Sequence, residues 1–328
     1  FDGTLYDPCC GSGGMFIQGA KYVEEKQGDI KMVNVYGQER DPATYRLAKM
    51  NLAMRGISHH LGEKNADSFS NDLHKGLTFD YIMANPPFNL KKWYDISLSK
   101  DSRWADYAVP PEGNANYAWI LHMLSKLKAG KGVAGFLLAN GALGDSDAVA
   151  IRKKLIEKDK IEAIIVVPRE LFYSTDISVT LWILNENKKG GTWHGRKLRN
   201  REKEILFMDL RQWTENPVKN EQKKKVELKA DQLKRAAEIY FKWQSEGTDG
   251  TNYAEPELYR SVGFEELKNN DYSLVPSRYI EFVDRDTTID YHQVLTETAT
   301  TVSDLLKRQK QNDKTLRNAL KQLGYECK

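Results

Sequence analysis

The run Phe79-Asp80-Tyr81-Ile82-Met83-Ala84-Asn85-Pro86-Pro87-Phe88 is apolar and strand-like until it breaks into a polar turn. Two adjacent prolines remove two backbone donors and fix two φ angles, so the turn is stiff. It forms a shelf that presents one amide, one aromatic ring and bare carbonyl oxygens. That equipment suits a planar amine whose hydrogens must be accepted and whose ring must be stacked. A proline turn that merely ends a strand is the alternative, and what decides between the two lies upstream.

Leu5-Tyr6-Asp7-Pro8-Cys9-Cys10-Gly11-Ser12-Gly13-Gly14-Met15-Phe16 reads as a strand end, a glycine loop and a helix start. Ile17, Ala20 and Val23 continue the helix at its spacing. Glycines admit positive φ and close ligand approach, and a helix N-terminus exposes amides. Gly11, Ser12 and Gly13 are therefore candidate cofactor contacts. Phe16 stands where a dinucleotide fingerprint has its third glycine, which disfavours nicotinamide. Asp7 instead suits a zwitterionic amino-acid cofactor, whose ammonium needs an anion nearby.

A second strand, Met32 to Glu39, ends in a carboxylate where a doubly wound sheet binds both ribose hydroxyls. Asp41 is a good N-cap with Pro42 at the first helical position, and Gly56 ends that helix. Asp67 is placed to accept the amino group of an adenine ring with Phe69 packing beside it; taken alone, it reads as a turn or N-cap residue. Strand ends thus carry Asp7, Glu39 and Asp67, and a further one carries Asn85 to Phe88. Ligands of open α/β sheets gather at the carboxyl ends of strands. The expected fold is α/β, a Rossmann-like sheet with helices on both faces.

The 328 residues suffice for one large domain with an appendage, or for two domains. With 40% hydrophobic and 29% charged residues and a net charge of +3, any basic surface must be local. No apolar run approaches membrane-spanning length. Cys9, Cys10 and Cys327 give neither a disulfide framework nor a zinc pattern, so a reduced, cytoplasmic setting is expected and no metal. The start lacks an initiator Met, which suggests a fragment.

Further along, Asn116 to Leu124 reads as an amphipathic helix, Gly132 to Ala139 as a buried strand, Ala150 to Lys158 as a helix and Ile161 to Val167 as a strand. Ser178 to Asn185 and Ile205 to Leu210 bracket a basic loop, as a long hairpin would. Its cations suit DNA phosphates or simply solvent. Lys223-Lys224-Lys225 reads as the wet face of a helical stretch, and Gly247 to Thr251 as a linker. Leu295, Val302, Gln309, Leu316 and Leu323 then recur every seven residues, a coiled-coil-like seam that needs a partner surface.

Together these motifs make the chain resemble the modification subunit of type I restriction–modification systems, a family of S-adenosylmethionine-dependent adenine-N6 DNA methyltransferases. Asp7 to Phe16, Gly37-Gln38-Glu39 and Asn85 to Phe88 carry the resemblance. Asn116-Tyr117-Ala118-Trp119, Ala139 to Leu143, Leu171 to Thr175 and Tyr272 to Tyr279 match as well. The resemblance implies a methyltransferase sheet with S-adenosylmethionine on Asp7, Gly11, Ser12, Gly13, Glu39 and Asp67. It implies catalysis by Asn85, Pro86, Pro87 and Phe88 on a base flipped out of the duplex. Phe88 would stack on one face of that base and Phe172 or Tyr173 on the other. Expected partners are DNA, a specificity subunit that carries the target sequence, a restriction subunit and a second modification subunit, with no membrane.

The domains expected are a catalytic domain over residues 1–215, a helical and loop extension over 216–289 and a partner-binding helix over 290–328. Family members carry a helical domain and a further cofactor-contacting segment upstream of the glycine loop. A chain that begins at Phe1 is expected to bind cofactor weakly on its own. Rivals are a scaffold that docks the specificity subunit without turnover, and transfer to a protein glutamine or an RNA amine. Cytosine-C5 transfer would need a thiolate on the Asn85 shelf, whereas Cys9 and Cys10 lie at another strand end.

Overall fold

The computed structural model describes residues 3–29, 33–172, 176–213, 218–220, 223–283 and 290–323. Tyr173, Ser174, Thr175 and Cys327 lie outside the described residues. Two compact units emerge, residues 1–281 and 282–328.

In the larger unit, β1 (Gly3–Asp7) leads through the glycine loop to α1 (Gly14–Glu25), then β2 (Val33–Gly37), α2 (Pro42–Ala53), β3 (His59–His60) and β4 (Tyr81–Ala84). There follow α3 (Asn116–Ser125), β5 (Val133–Ala139), α4 (Val149–Glu157), β6 (Ile161–Val166) and β7 (Val179–Asn185). Two short hairpins, β8 (Gly191–Trp193) with β9 (Arg196–Leu198) and β11 (Val218–Asn220) with β12 (Lys223–Lys225), flank β10 (Glu204–Asp209). Last come α5 (Ala230–Gln244), β13 (Ala254–Glu255), β14 (Tyr259–Gly263) and α6 (Phe264–Asn269). The smaller unit contains α7 (Tyr291–Gln322).

Ten strands form one sheet in the order β13-β14-β10-β6-β7-β5-β4-β1-β2-β3. β1 pairs in parallel with β2 and β4, and β4 with β5. β7 runs antiparallel to both β5 and β6, so β5 and β6 point the same way. The carboxyl ends of β1, β2, β4, β5 and β6 consequently share one edge of the sheet.

Helices cover both faces, as a sheet with so much parallel pairing requires. On one face Tyr6, Ile82, Phe136, Leu138, Ile164 and Trp182 pack with α3 and α4 in one continuous core. On the other, α1 and α2 bury Phe16, Tyr45, Ala48 and Leu52 against Leu5 and Val35, while α5 sets Ile239 and Trp243 on Leu206 and Met208. α2 starts as its cap predicts: Asp41 Oδ1 accepts the Thr44 N–H at 2.8 Å, with Pro42 following.

Four expectations do not survive. Residues Asn116 to Leu124 of α3 are all buried, so the helix is a core element rather than an amphipathic one. Truncating Leu121 there would cost about 2–5 kcal/mol. β7 and β10 are not a hairpin, because β6, buried at every position, lies between them. Lys223 to Lys225 form a strand, and the helix starts only at Ala230. Gly247 to Thr251 is a turn within the larger unit rather than a linker: Gly250 is buried where a Cβ would strike the Arg199 and Glu204 side chains.

Sequence alone did not reveal how the 190–203 loop is anchored. Arg201 and Glu162, both 0% exposed, pair at 2.9 Å, and the same carboxylate accepts Gln244 Nε2 and Asn185 Nδ2. A buried charge pair persists only with further hydrogen bonds around it, and here Arg201 also donates to the Arg199 and Asn187 carbonyls.

Candidate active site

Asp7 ends β1, and its register partner Gly37 ends β2. The two strand ends stay zipped beyond the sheet, since Gln38 N–H donates to Asp7 O at 3.1 Å and Cys10 N–H to Gln38 O at 3.0 Å. The Asp7 side chain is 1% exposed, and its Oδ1 accepts the Cys9 N–H at 2.9 Å. It forms no ion pair among the described residues. Burial, opposed by the Cys9 hydrogen bond and reinforced by the nearby Glu39 charge, pushes its pKa up to about 7. A carboxyl in that state gains most from an incoming cation.

The glycine loop turns tightly, with φ of 54° at Gly11 and 82° at Gly13, where a side-chain-bearing residue would be strained. Asn51 Nδ2 holds the Ser12 carbonyl at 3.0 Å. Glu39 Oε2 accepts the Gly11 N–H at 3.1 Å and Oε1 the Asp41 N–H at 2.7 Å, so the carboxylate is fixed by backbone and keeps lone pairs for a ligand. Burial raises both the Cys9 and Cys10 thiols above their usual range, which leaves them protonated fillers of the loop.

Asp67 does two jobs. Its Oδ1 accepts the N–H groups of Phe69 (2.9 Å) and Ser70 (3.1 Å), the turn-capping role, and Oδ2 lies 3.7 Å from the largely exposed Arg40. Phe69 packs in the core next to the Asp67 loop. It is 2% exposed, with ring centroids 4.3 Å from Trp119 and 5.0 Å from Trp93.

At the end of β4, Asn85 and Pro87 are exposed, Pro86 is buried and Phe88 is half-buried. Among the described residues the Asn85 amide makes no hydrogen bond. The turn is held from behind by Asn116 at the start of α3, which is 2% exposed. Its Oδ1 accepts the Asn89 N–H at 3.1 Å and its Nδ2 donates to Asn89 Oδ1 at 2.8 Å, while Asn89 itself sits at φ 52°. Phe172, half-buried, is on the segment that leaves β6 at the same edge. Asp7, Gly11, Glu39 and Asn85 are thus gathered on loops of three adjacent strands.

Three further residues hold the site: Gln38 and Asn116 lie in stretches that carry the resemblance but had no role assigned, and Arg103 gave no local signal. Gln38, 0% exposed, donates from Nε2 to Ala66 O and Asn71 O and accepts the Leu73 N–H, so it shapes the loop carrying Asp67. Asn116 fixes the shelf, and Arg103 reaches the carbonyls of Ser68 and Phe69. Groups of three or more His, Cys, Asp or Glu residues able to hold a metal ion are absent among the described residues. No helix there is long and apolar enough to cross a membrane.

The model of the family described as N-6 DNA Methylase matches residues 2–287. The chain is 37% identical to the type I restriction enzyme HindI methylase subunit of Haemophilus influenzae, over 99% of this chain and 70% of that protein. It is 32% identical to the MjaIX methylase subunit of Methanocaldococcus jannaschii, over 98% of this chain and 55% of the relative. Among solved structures, the methyltransferase subunit of a type I restriction–modification system from Streptococcus thermophilus superposes with a TM-score of 0.70 at 26% identity, covering 85% of this chain and 54% of that one. The EcoKI M protein, at 18% identity and a TM-score of 0.59 over 94% of this chain and 68% of its own, shares the fold.

Proposed function

We propose that this chain, which belongs to the N-6 DNA methylase family, transfers a methyl group from S-adenosylmethionine to the N6 amino group of adenine in DNA, as the modification subunit of a type I restriction–modification complex. The observation that carries the reading is an exposed Asn85 amide, without a hydrogen bond among the described residues, on a proline shelf at the same sheet edge as the buried carboxyl of Asp7.

The residues fit the cofactor. Asp7 offers a buried anion to its ammonium, Glu39 a backbone-fixed carboxylate to the ribose hydroxyls, and Asp67 a second oxygen to the adenine amine. When bound, S-adenosylmethionine supplies an electrophilic sulfonium methyl. The amino nitrogen of adenine is a poor nucleophile because its lone pair is delocalised into the ring. Asn85 Oδ1 and the Pro86 carbonyl each accept one amino hydrogen, which localises that lone pair. Phe88 stacks on the extruded base, and Phe172 covers the other face. Positioning and electrostatics do most of the work.

The test is mass spectrometry of duplex DNA after incubation with isotopically labelled cofactor, with and without the specificity subunit. Label on adenine N6 is expected. Label only on a peptide glutamine or on RNA, or cofactor-independent docking with no transfer in the assembled complex, would overturn the reading.

The partners proposed are DNA, specificity and restriction subunits and a second modification subunit. α7 presents Leu295, Val302, Leu305, Leu316 and Leu323 with exposures from 48% to 72%, a seam that would pack on helices of the specificity subunit. Val302→Asp with Leu316→Asp should abolish co-purification and leave the larger unit folded; unchanged co-purification rules this surface out.

A further inference from the structure

We propose that Arg103 is a positioning residue of the transfer site: it holds the Asp67–Phe69 loop in the form that receives the cofactor's base and ties that loop to the segment following the acceptor shelf. The inference deepens the reading of Asp67 given above and rests on it.

Arg103 lies on a short 3-10 turn, Ser102–Trp104, in the stretch between the shelf and α3. Its side chain is 9% exposed. A guanidinium carries five N–H donors and no acceptor, and here each donor has a partner. Nε donates to Asp101 Oδ1 at 2.9 Å and Nη2 to Asp101 Oδ2 at 2.7 Å. Nη1 donates to Ser68 O at 2.8 Å and Nη2 to Phe69 O at 2.5 Å. The second Nη1 hydrogen meets His122 Nδ1 at 2.9 Å.

Because the guanidinium only donates, His122 Nδ1 must accept, so the ring proton is on Nε2 and points at the Tyr6 hydroxyl 3.1 Å away. Burial and the Arg103 charge hold His122 well below its usual pKa, which keeps that acceptor free of a proton. Tyr6 directly precedes Asp7. The Ser68 hydroxyl donates to Pro8 O, so the loop also touches the residue after Asp7.

Two consecutive carbonyls turned onto one guanidinium fix the peptide planes of Ser68 and Phe69. From the opposite side Asp67 Oδ1 takes the N–H groups of Phe69 and Ser70. The loop is clamped from both sides, and Asp67 Oδ2 is left outside the clamp. Trp93 completes the link, packing its ring on Phe69 and on Trp104 at centroid distances of 5.0 and 6.0 Å. An apolar side chain would fill the space as well, and replacing a buried ion pair by one is often neutral for stability. What only a planar fork supplies is the simultaneous grip on two carbonyls, a ring nitrogen and a carboxylate.

The experiment measures S-adenosylmethionine Kd, DNA KM, kcat at saturating cofactor and Tm for the complex assembled with wild-type, Arg103→Lys and Asp101→Asn subunits. Lysine keeps the charge but loses the fork. Arg103→Lys is expected to raise the cofactor Kd about tenfold or more, with kcat and DNA KM near wild type. Asp101→Asn shifts it in the same direction by less. Should Arg103→Lys fail to fold, Asp101→Asn decides by the same criterion. An unchanged cofactor Kd overturns the proposal, as does a loss of kcat, DNA KM and Tm in step, which a merely structural arginine would give. A wild-type complex that binds no cofactor sinks the reading of the site and this inference with it. A wild type that binds while its variants match it sinks the inference alone.

Discussion

Asp7 is 1% exposed and pinned by a backbone amide, and Glu39 is held by two more; across the same sheet edge Asn85 stands in solvent with no hydrogen bond among the described residues. The side assigned to the cofactor is built before its ligand arrives, out of strand ends zipped to each other and a loop clamped by Gln38 and Arg103. The side assigned to the acceptor is a stiff turn whose Asn85 amide is left unpaired among the described residues. The difference fits what each side is proposed to bind. A free cofactor gains affinity from a pre-organised pocket. A base extruded from a duplex brings its own amine, and a shelf already bonded to protein would have to break those bonds first.

The comparison breaks most visibly at Asn85. Asn85→Ala should lower single-turnover methyl transfer about 10²–10³-fold, as loss of one preorganised polar contact to the transition state does. Calorimetric cofactor affinity should stay within several-fold. Near-normal turnover at saturating DNA would show that the exposed amide is not the group that acts.

Next in size is the opposite change. Asp7→Asn should weaken cofactor binding by about 1.5–3 kcal/mol, roughly ten- to over a hundredfold. The free protein should lose no Tm at pH 8. A carboxyl whose pKa is about 7 in the fold and near 3.8 unfolded binds protons more readily folded, so its ionisation disfavours the fold increasingly from pH 4 to 7. Removing the charge relieves that. A lowered Tm with unchanged affinity would make Asp7 a structural residue.

Phe88→Ala should cost about 1–3 kcal/mol in capture of the target base, since stacking on an aromatic ring is worth that much. It should appear in DNA KM and in the fluorescence of a 2-aminopurine target, with cofactor affinity unmoved. A ring that packs only within the protein would change Tm and not the fluorescence.

The pH dependence sharpens the cofactor side. Below its pKa of about 7 the fraction of Asp7 ionised falls, so wild-type cofactor affinity should drop by up to about tenfold per pH unit as pH falls from 7 toward 5. Asp7→Asn should flatten that profile. A slope that persists in the variant would place the titrating group elsewhere.

Much of this was written locally in the chain. Glycines at the end of one apolar run, a carboxylate at the end of the next and Asn-Pro-Pro-Phe at the end of another place chemistry at strand ends, where residues a few positions apart settle the matter. The Asp41 cap and the heptads of α7 are equally local, and both elements form where the pattern put them. The core packing of Phe69 on Trp93 and Trp119 was not legible, because local sequence does not bring those rings near it.

What sequence by itself determined, then, is which residue types stand at the turns and with what periodicity the segments bury, since both depend on neighbours within a turn or two of backbone. Only the tertiary structure decided that β6 separates β7 from β10 and that α3 is buried on every side. It alone decided that Gln38, Arg103 and Asn116 reach loops 27 to 35 residues away to hold the site. Strand order and the pairing of buried polar groups are set by long-range contacts, whose partners a one-dimensional pattern does not specify.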